Sequence, residues 1–264
     1  MIVGCVRFSG QTISDRIRRN WNAPTVENGV KTLPEDVLQQ RLAEVEDRIA
    51  AACRRSGRKR TAVTLVAVTK TVSAEIASLL PSLGIWDLGE SRPQELWKKA
   101  TTFVAAVRWH LVGHLQRNKI ERTLPLVHMI HSVDSLRLLL FLENEAMKQE
   151  RQISVLLEVN ASREPQKNGF APEELAGLPA KLEAMQFVQI QGLMTMAALN
   201  PDPQTSRRTF AELRDLRDRL QNQFPSPHHL EHLSMGMSND FEVAIEEGAT
   251  MVRLGSVLFE GLNP

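Results

Sequence analysis

Thr64-Leu65-Val66-Ala67-Val68-Thr69-Lys70 is the stretch that decides the fold. It is a β-branched, apolar run, the pattern of a parallel strand buried on both faces, and it ends in an amine. A lysine at the carboxyl end of such a strand stands where α/β barrels place their chemistry. Far downstream, Met251-Val252-Arg253-Leu254-Gly255-Ser256 reads as a second strand ending in a small-residue pair suited to an anion. If these two are the first and last strands of one closed barrel, they are neighbours.

The chain between them supports closure. Candidate strands at 63–69, 85–89, 108–112, 128–133, 153–159, 188–194, 230–234 and 251–254 alternate with helical patterns near 73–83, 92–100, 115–123, 135–150, 172–185, 204–222 and 239–248. Upstream, Leu38, Leu42, Val45, Ile49 and Cys53 recur at helical spacing over roughly 35–56, and Gly57 supplies a stop. Eight strands, each but the last followed by a helix, predict an α/β fold. It is a single (β/α)8 barrel over residues 35–264 with an N-terminal helix. An open doubly wound sheet would carry a G-x-G-x-x-G turn, and none is present.

Composition narrows the function classes. The 264 residues are 42% hydrophobic and 24% charged, with net charge +1, so no global basic field favours nucleic acid. No apolar run reaches the ~18 residues of a membrane span. Two cysteines, Cys5 and Cys53, make neither a disulfide framework nor a metal site, and a reducing cytoplasm is the expected setting. Residues 1–34 differ in character: the first 33 carry net +3, with Gly10, Pro24 and Gly29 and no periodicity. They read as a disordered extension or an upstream start, and only weakly as a transit peptide. The chain contains no tyrosine, which excludes any mechanism that needs a tyrosine base.

Three motifs carry candidate chemistry. Lys70 alone could be an ordinary strand-end lysine; partial burial in a barrel mouth would favour the uncharged amine that attacks an aldehyde. Leu233-Ser234-Met235-Gly236-Met237-Ser238-Asn239-Asp240 runs from a strand into a helix. Ser238 or Asn239 is a plausible N-cap, and Ser234 and Gly236 sit in a loop whose N–H groups can face an anion. Gly255 and Ser256 close the last strand. In many barrels phosphate sits between the loops after strands seven and eight, and these two motifs are those loops. An amine beside a phosphate cradle is the minimum kit for holding pyridoxal 5′-phosphate (PLP) as a Schiff base. Arg253 alternates with Val252 and Leu254, so it faces the opposite side; facing inward, it can donate to a pyridine nitrogen but never accept, which mutes carbanion chemistry.

Two segments are left open. His114, Arg117 and Lys119 could form an anion rim or a solvated first helical turn. His228, His229 and His232 are separated by strand alternation, which argues against a metal site.

Taken together, Leu65–Thr71, Gly89-Glu90, Trp109–Lys119, His131–Ser135, Gly192–Thr195, Leu233–Glu242 and Val252–Gly255 resemble the pyridoxal-phosphate homeostasis protein family, stand-alone relatives of the alanine racemase barrel. The resemblance covers roughly residues 35–261. It implies a barrel of the alanine racemase N-terminal-domain type that holds PLP on Lys70. It also implies ring-nitrogen contact by Arg253 and phosphate contacts around Ser234, Gly236, Gly255 and Ser256. Such a protein buffers or delivers the cofactor, to apo-PLP enzymes among others, influences amino- and keto-acid balance, and has no robust catalysis. At the end of strand two the family usually has Asn after Gly-Glu; here Ser91 stands there, with a shorter reach toward the cofactor. A monomer is expected. The alternatives are a PLP-dependent barrel enzyme with weak racemase or transaminase activity, and a sugar-phosphate barrel using Lys70 as an imine former.

Overall fold

The computed structural model describes residues 33–103, 105–198 and 202–262. Eight parallel strands close in chain order. They are β1 (Thr64–Val68), β2 (Asp87–Glu90), β3 (Arg108–Leu111), β4 (Met129–Val133), β5 (Ile153–Glu158), β6 (Val188–Met194), β7 (His232–Ser234) and β8 (Met251–Leu254). The seam pairs Thr64 with Met251 and Ala67 with Leu254, so the first and last strands are neighbours, as the sequence predicts.

The helices are α1 (Pro34–Arg55), α2 (Ala74–Ala77), α3 (Pro93–Thr102), α4 (Ile120–Thr123), α5 (Leu136–Lys148), α6 (Pro179–Leu182), α7 (Pro203–Leu220), α8 (Phe241–Glu246) and α9 (Ser256–Phe259). α1 buries Leu38, Leu42, Val45, Ile49 and Cys53, the stripe expected for it, and its Arg48 pairs with Glu242 of α8 at 2.9 Å. Several helices are shorter than their patterns. The 172–185 pattern is a 3-10 turn (Pro172–Gly177) followed by α6, which restarts at Pro179. Pro179 has no N–H to continue a ladder. The 73–83 pattern likewise divides into α2 and a 3-10 turn that begins at Pro81. α9, after the last strand, has no counterpart among the helical patterns of the sequence. Of the proposed extension over 1–34, residues 1–32 lie outside the described residues.

Strand alternation divides the apolar residues into two cores. Leu65, Ala67, Leu88, Trp109, Leu111, Leu193, Leu233, Val252 and Leu254 face outward into the large layer beneath the helices. Inside, Met129, Leu156, Met194 and Met251 form a separate small cluster. This is the filled interior of a barrel of this size rather than a pore. Polar side chains share the inward parity: Asp87, His110, His131, Ser234 and Arg253 are all buried.

Candidate functional site

Lys70 follows β1 by two residues and shares the parity of Val66 and Val68, which places it at the barrel mouth. It is exposed, so the partial burial expected for it is absent. The turn beneath it is clamped from the helix side. Lys99 of α3, 5% exposed, donates to Glu90 Oε1 and to the Thr69 carbonyl, both at 2.6 Å. The Thr69 hydroxyl donates to the same Glu90 oxygen at 2.6 Å. Glu90 is fully buried, and its Oε2 has no partner among the described residues.

On the neighbouring strand Arg253 points inward, as its alternation predicts. Nη1 donates to Ser234 Oγ at 2.6 Å and Nη2 to the Thr195 carbonyl at 2.9 Å. Burial lowers its pKa to about 10, against the opposing pull of Asp240 and Glu158, so the guanidinium remains charged at neutral pH. Burial, reinforced by Asp134, raises the pKa of Glu158 at the end of β5.

The loops after β7 and β8 approach each other through Ser238, not Ser234. Ser238 Oγ accepts from the N–H groups of Gly255 (3.4 Å) and Val257 (3.3 Å), which leaves its own hydrogen free to donate. Among the described residues, the N–H groups of Gly236 and Ser256 have no hydrogen-bond partner. Gly236 has φ +91°, and a Cβ there would lie 2.6 Å from Ala244 Cβ and 2.9 Å from Phe241 Cα, so only glycine fits. The result is a small nest of backbone and hydroxyl donors beside Lys70 and Arg253, suited to an anion. Ser234 does not open onto this nest with its side chain. It is fully buried, and its hydroxyl is engaged by Arg253 and, at 2.8 Å, by His131. The parity of a strand residue beside outward Leu233 turns it into the barrel. Ser91 is partly buried at the end of β2; its hydroxyl has no partner among the described residues, and its backbone packs on Gly113.

A cavity of about 570 Å³ opens between the loops after β3 and β4, lined in part by His114, Gln116, Arg117, Asn118, Asp134 and Arg137. His114 Nδ1 pairs with Asp134 at 3.2 Å. Arg117–Lys119 is a 3-10 turn, and of the three residues considered for an anion rim only His114 and Arg117 line the cavity. His228 is a core histidine: Nδ1 accepts from the Ile190 N–H, and Nε2 lies 3.3 Å from the Leu182 carbonyl. No group of three metal-ligating side chains occurs among the described residues. The residues that sequence reasoning missed are Ser238 as an anion donor, Lys99 as a clamp, and His110 and His131 behind Ser234.

A profile of the alanine racemase N-terminal domain matches residues 41–264. The pyridoxal phosphate homeostasis protein of Aquifex aeolicus is 40% identical over 221 residues, 83% of this chain and 96% of that protein. The protein of the same name from Escherichia coli is 31% identical over 226 residues, 84% of this chain and 95% of that one. Among solved structures, PipY of Synechococcus elongatus with PLP bound superposes with a TM-score of 0.74 at 34% identity, covering 84% of this chain and 99% of PipY. An alanine racemase of Clostridium difficile, 16% identical with a TM-score of 0.66, shares the fold over 85% of this chain and 56% of its own length. With its own barrel, nest and inward arginine as described, the chain belongs to the pyridoxal phosphate homeostasis proteins of the alanine racemase N-terminal-domain family.

Proposed function

We propose that this chain binds PLP through a Schiff base on Lys70 and serves in cofactor homeostasis, buffering or delivering PLP without robust turnover. The observation that carries the proposal is the juxtaposition, across the β1–β8 seam, of the Lys70 amine with the free donors of Gly236, Ser238 and Ser256 around Gly255. That donor set fits a phosphorylated aldehyde. PLP, when bound, supplies an aldehyde that condenses with amines and a ring that accepts electrons in proportion to the protonation of its nitrogen.

The chain's residues divide the work. Lys70 is the covalent anchor. Gly236, Ser256 and Ser238 take the phosphate, Gly255 lets the backbone approach it, and Ser234 acts from behind by holding Arg253. Arg253 meets the ring nitrogen as a donor and keeps it unprotonated, which restrains side reactions. The exposure of Lys70 supports exchange with solvent and hand-over to apo-PLP enzymes. Ser91 lies near enough in the fold to border the ring. A second reading, weak racemase or transaminase activity, has support from the shared racemase fold. It lacks a tyrosine to serve as the opposite base. A cytoplasmic monomer is the working state; no helix among the described residues is long and apolar enough to cross a membrane.

The test is the absorption spectrum of the PLP-incubated protein before and after borohydride, followed by peptide mapping. A band removed by reduction, with pyridoxyl mass on Lys70, is the expected result. A protein that stays colourless and unmodified refutes the assignment, and turnover of several amino acids at substantial rates refutes the non-enzyme reading.

A further inference from the structure

Arg253 is one end of a buried line of polar side chains that crosses the barrel interior. Its Nη1 donates to Ser234 Oγ at 2.6 Å. Ser234 Oγ lies 2.8 Å from His131 Nδ1, and His131 Nε2 lies 2.8 Å from His110 Nδ1. His110 Nε2 lies 3.0 Å from Asp87 Oδ1. Arg108 closes the far end, with Nε 2.7 Å from Asp87 Oδ1 and Nη2 2.5 Å from Oδ2. Strands β8, β7, β4 and β2 each contribute one member, and β3 contributes His110 and Arg108. His110 is 1% exposed, and His131 and Ser234 are 0%.

The two ends dictate where every hydrogen sits. A guanidinium can only donate. Burial alone would raise the Asp87 pKa, but the hydrogen bonds from Arg108 and His110 outweigh it and hold the carboxyl below its ordinary range; ionised, it can only accept. Ser234 therefore accepts from Arg253 and passes its own hydrogen to His131 Nδ1. His110 donates Nε2–H to Asp87, and its bare Nδ1 accepts Nε2–H from His131. All contacts are satisfied with both rings neutral and both in the Nε2–H form. A second proton on His110 would force His131 into the Nδ1–H form and leave the Ser234 hydrogen without its acceptor. One on His131 would leave the Ser234 hydrogen without its acceptor beside a charged arginine. The surroundings of His131 act in the same sense: burial first, then the neighbouring His110, Arg253, His232 and His128 disfavour its charged form.

We propose that Asp87, His110, His131 and Ser234 form a one-way hydrogen-bond line that positions Arg253 as a fixed donor at the barrel mouth. The line starts at the amino-terminal ends of β2 and β3, remote from the mouth. Its members are positioning residues for the ring-nitrogen contact, so in that last step the inference rests on the PLP reading above. Removing a hydrogen bond to a charged group costs about tenfold or more in an equilibrium constant. Ser234→Ala is therefore expected to weaken PLP binding about tenfold and to displace the absorption band of the bound cofactor. Asp87→Ala, which cannot reach the cofactor, should displace the band in the same direction by a smaller amount.

The decisive measurement is two-bond 1H–15N correlation of the imidazole rings in histidine-labelled, cofactor-free protein at neutral pH, repeated with PLP. Neutral Nε2–H forms for both His110 and His131 are expected. An Nδ1–H form or a charged ring at either position overturns the line, with no variant required to fold. Expected tautomers combined with an unchanged cofactor band and affinity in both Ser234→Ala and Asp87→Ala overturn its link to Arg253. Failure of the wild-type protein to take up PLP would instead refute the function proposed above, and the imidazole spectra, which need no ligand, would still decide the line.

Discussion

Replacing Lys99 with methionine is expected to cost about 3–5 kcal/mol of folding stability, the range for removing one partner of a buried ion pair. Methionine nearly matches the lysine stem in volume, so the loss is charge and hydrogen bonds rather than packing. Lys99 makes two bonds of 2.6 Å, and its partner Glu90 is fully buried with Oε2 already unpartnered. In the variant the carboxylate keeps only the Thr69 hydroxyl. Glu90→Gln alone should cost a similar amount, about 3–5 kcal/mol, because it leaves the Lys99 ammonium buried without its counter-charge. The double variant removes the charge problem and leaves mainly the Thr69 carbonyl short of a donor, a cost of about 1–3 kcal/mol. The cycle should therefore show a coupling of at least about 3 kcal/mol, with the double variant more stable than Lys99→Met. Equilibrium urea unfolding, followed by tryptophan fluorescence and far-UV circular dichroism, provides the four free energies. Additive costs, or a Lys99→Met cost below about 1 kcal/mol, would refute the reasoning that this pair clamps the Thr69–Lys70 turn.

Other outcomes follow from the same geometry. Gly192→Ala should cost about 3 kcal/mol or more, because its Cβ would fall 2.0 Å from the His232 carbonyl oxygen within the β6–β7 pairing; an unchanged urea midpoint would contradict it. Gly236→Ala should weaken PLP and inorganic phosphate binding together, read by calorimetry, since the loop cannot keep its φ of +91° and its close approach to α8; undiminished affinity for both would remove the loop from the anion site. Ser238→Ala should weaken phosphate-mediated affinity by about tenfold and leave Lys70 labelling by borohydride intact, whereas Lys70→Ala should do the reverse. Burial lowers the pKa of His128, His131, His228 and His232. The unfolded chain therefore binds protons at these positions that the folded chain does not. Their contribution is intact above about pH 6.5 and declines below it, by up to about 1.4 kcal/mol per pH unit for each, and urea midpoints that stay level from pH 8 to pH 5 would exclude it.

Much of this architecture is legible in single residues of the sequence. The strands could be read because both faces are buried, so Thr64–Val68 and Met251–Leu254 appear as short apolar runs. Arg253 could be oriented because Val252 and Leu254 flank it on the other face. Helices fared less well where a proline restarts the ladder, as at Pro179, although that residue was visible. Ser234 shows the limit. Its inward parity follows from Leu233, but its partner His131 lies 103 residues away, and register across several strands is not written in any local pattern. The role of Ser238 was hidden for a related reason: a serine before a helix reads as a cap, while here it ties two loops together. Lys99 gave no signal, since a lysine on a helix is ordinarily solvated.

The small inner cluster has a mechanical consequence. Three of its four members, Met129, Met194 and Met251, are thioethers, and Leu156 is the only branched one. Unbranched side chains with three rotatable bonds change shape at little cost. The plug beneath the arginine thus behaves as a compliant cushion: it can absorb the displacement of groups above it when the mouth fills or empties, without transmitting that strain to the strands. The same softness carries a chemical liability, because oxidation of any of these sulfurs would introduce a polar oxygen into an apolar cluster.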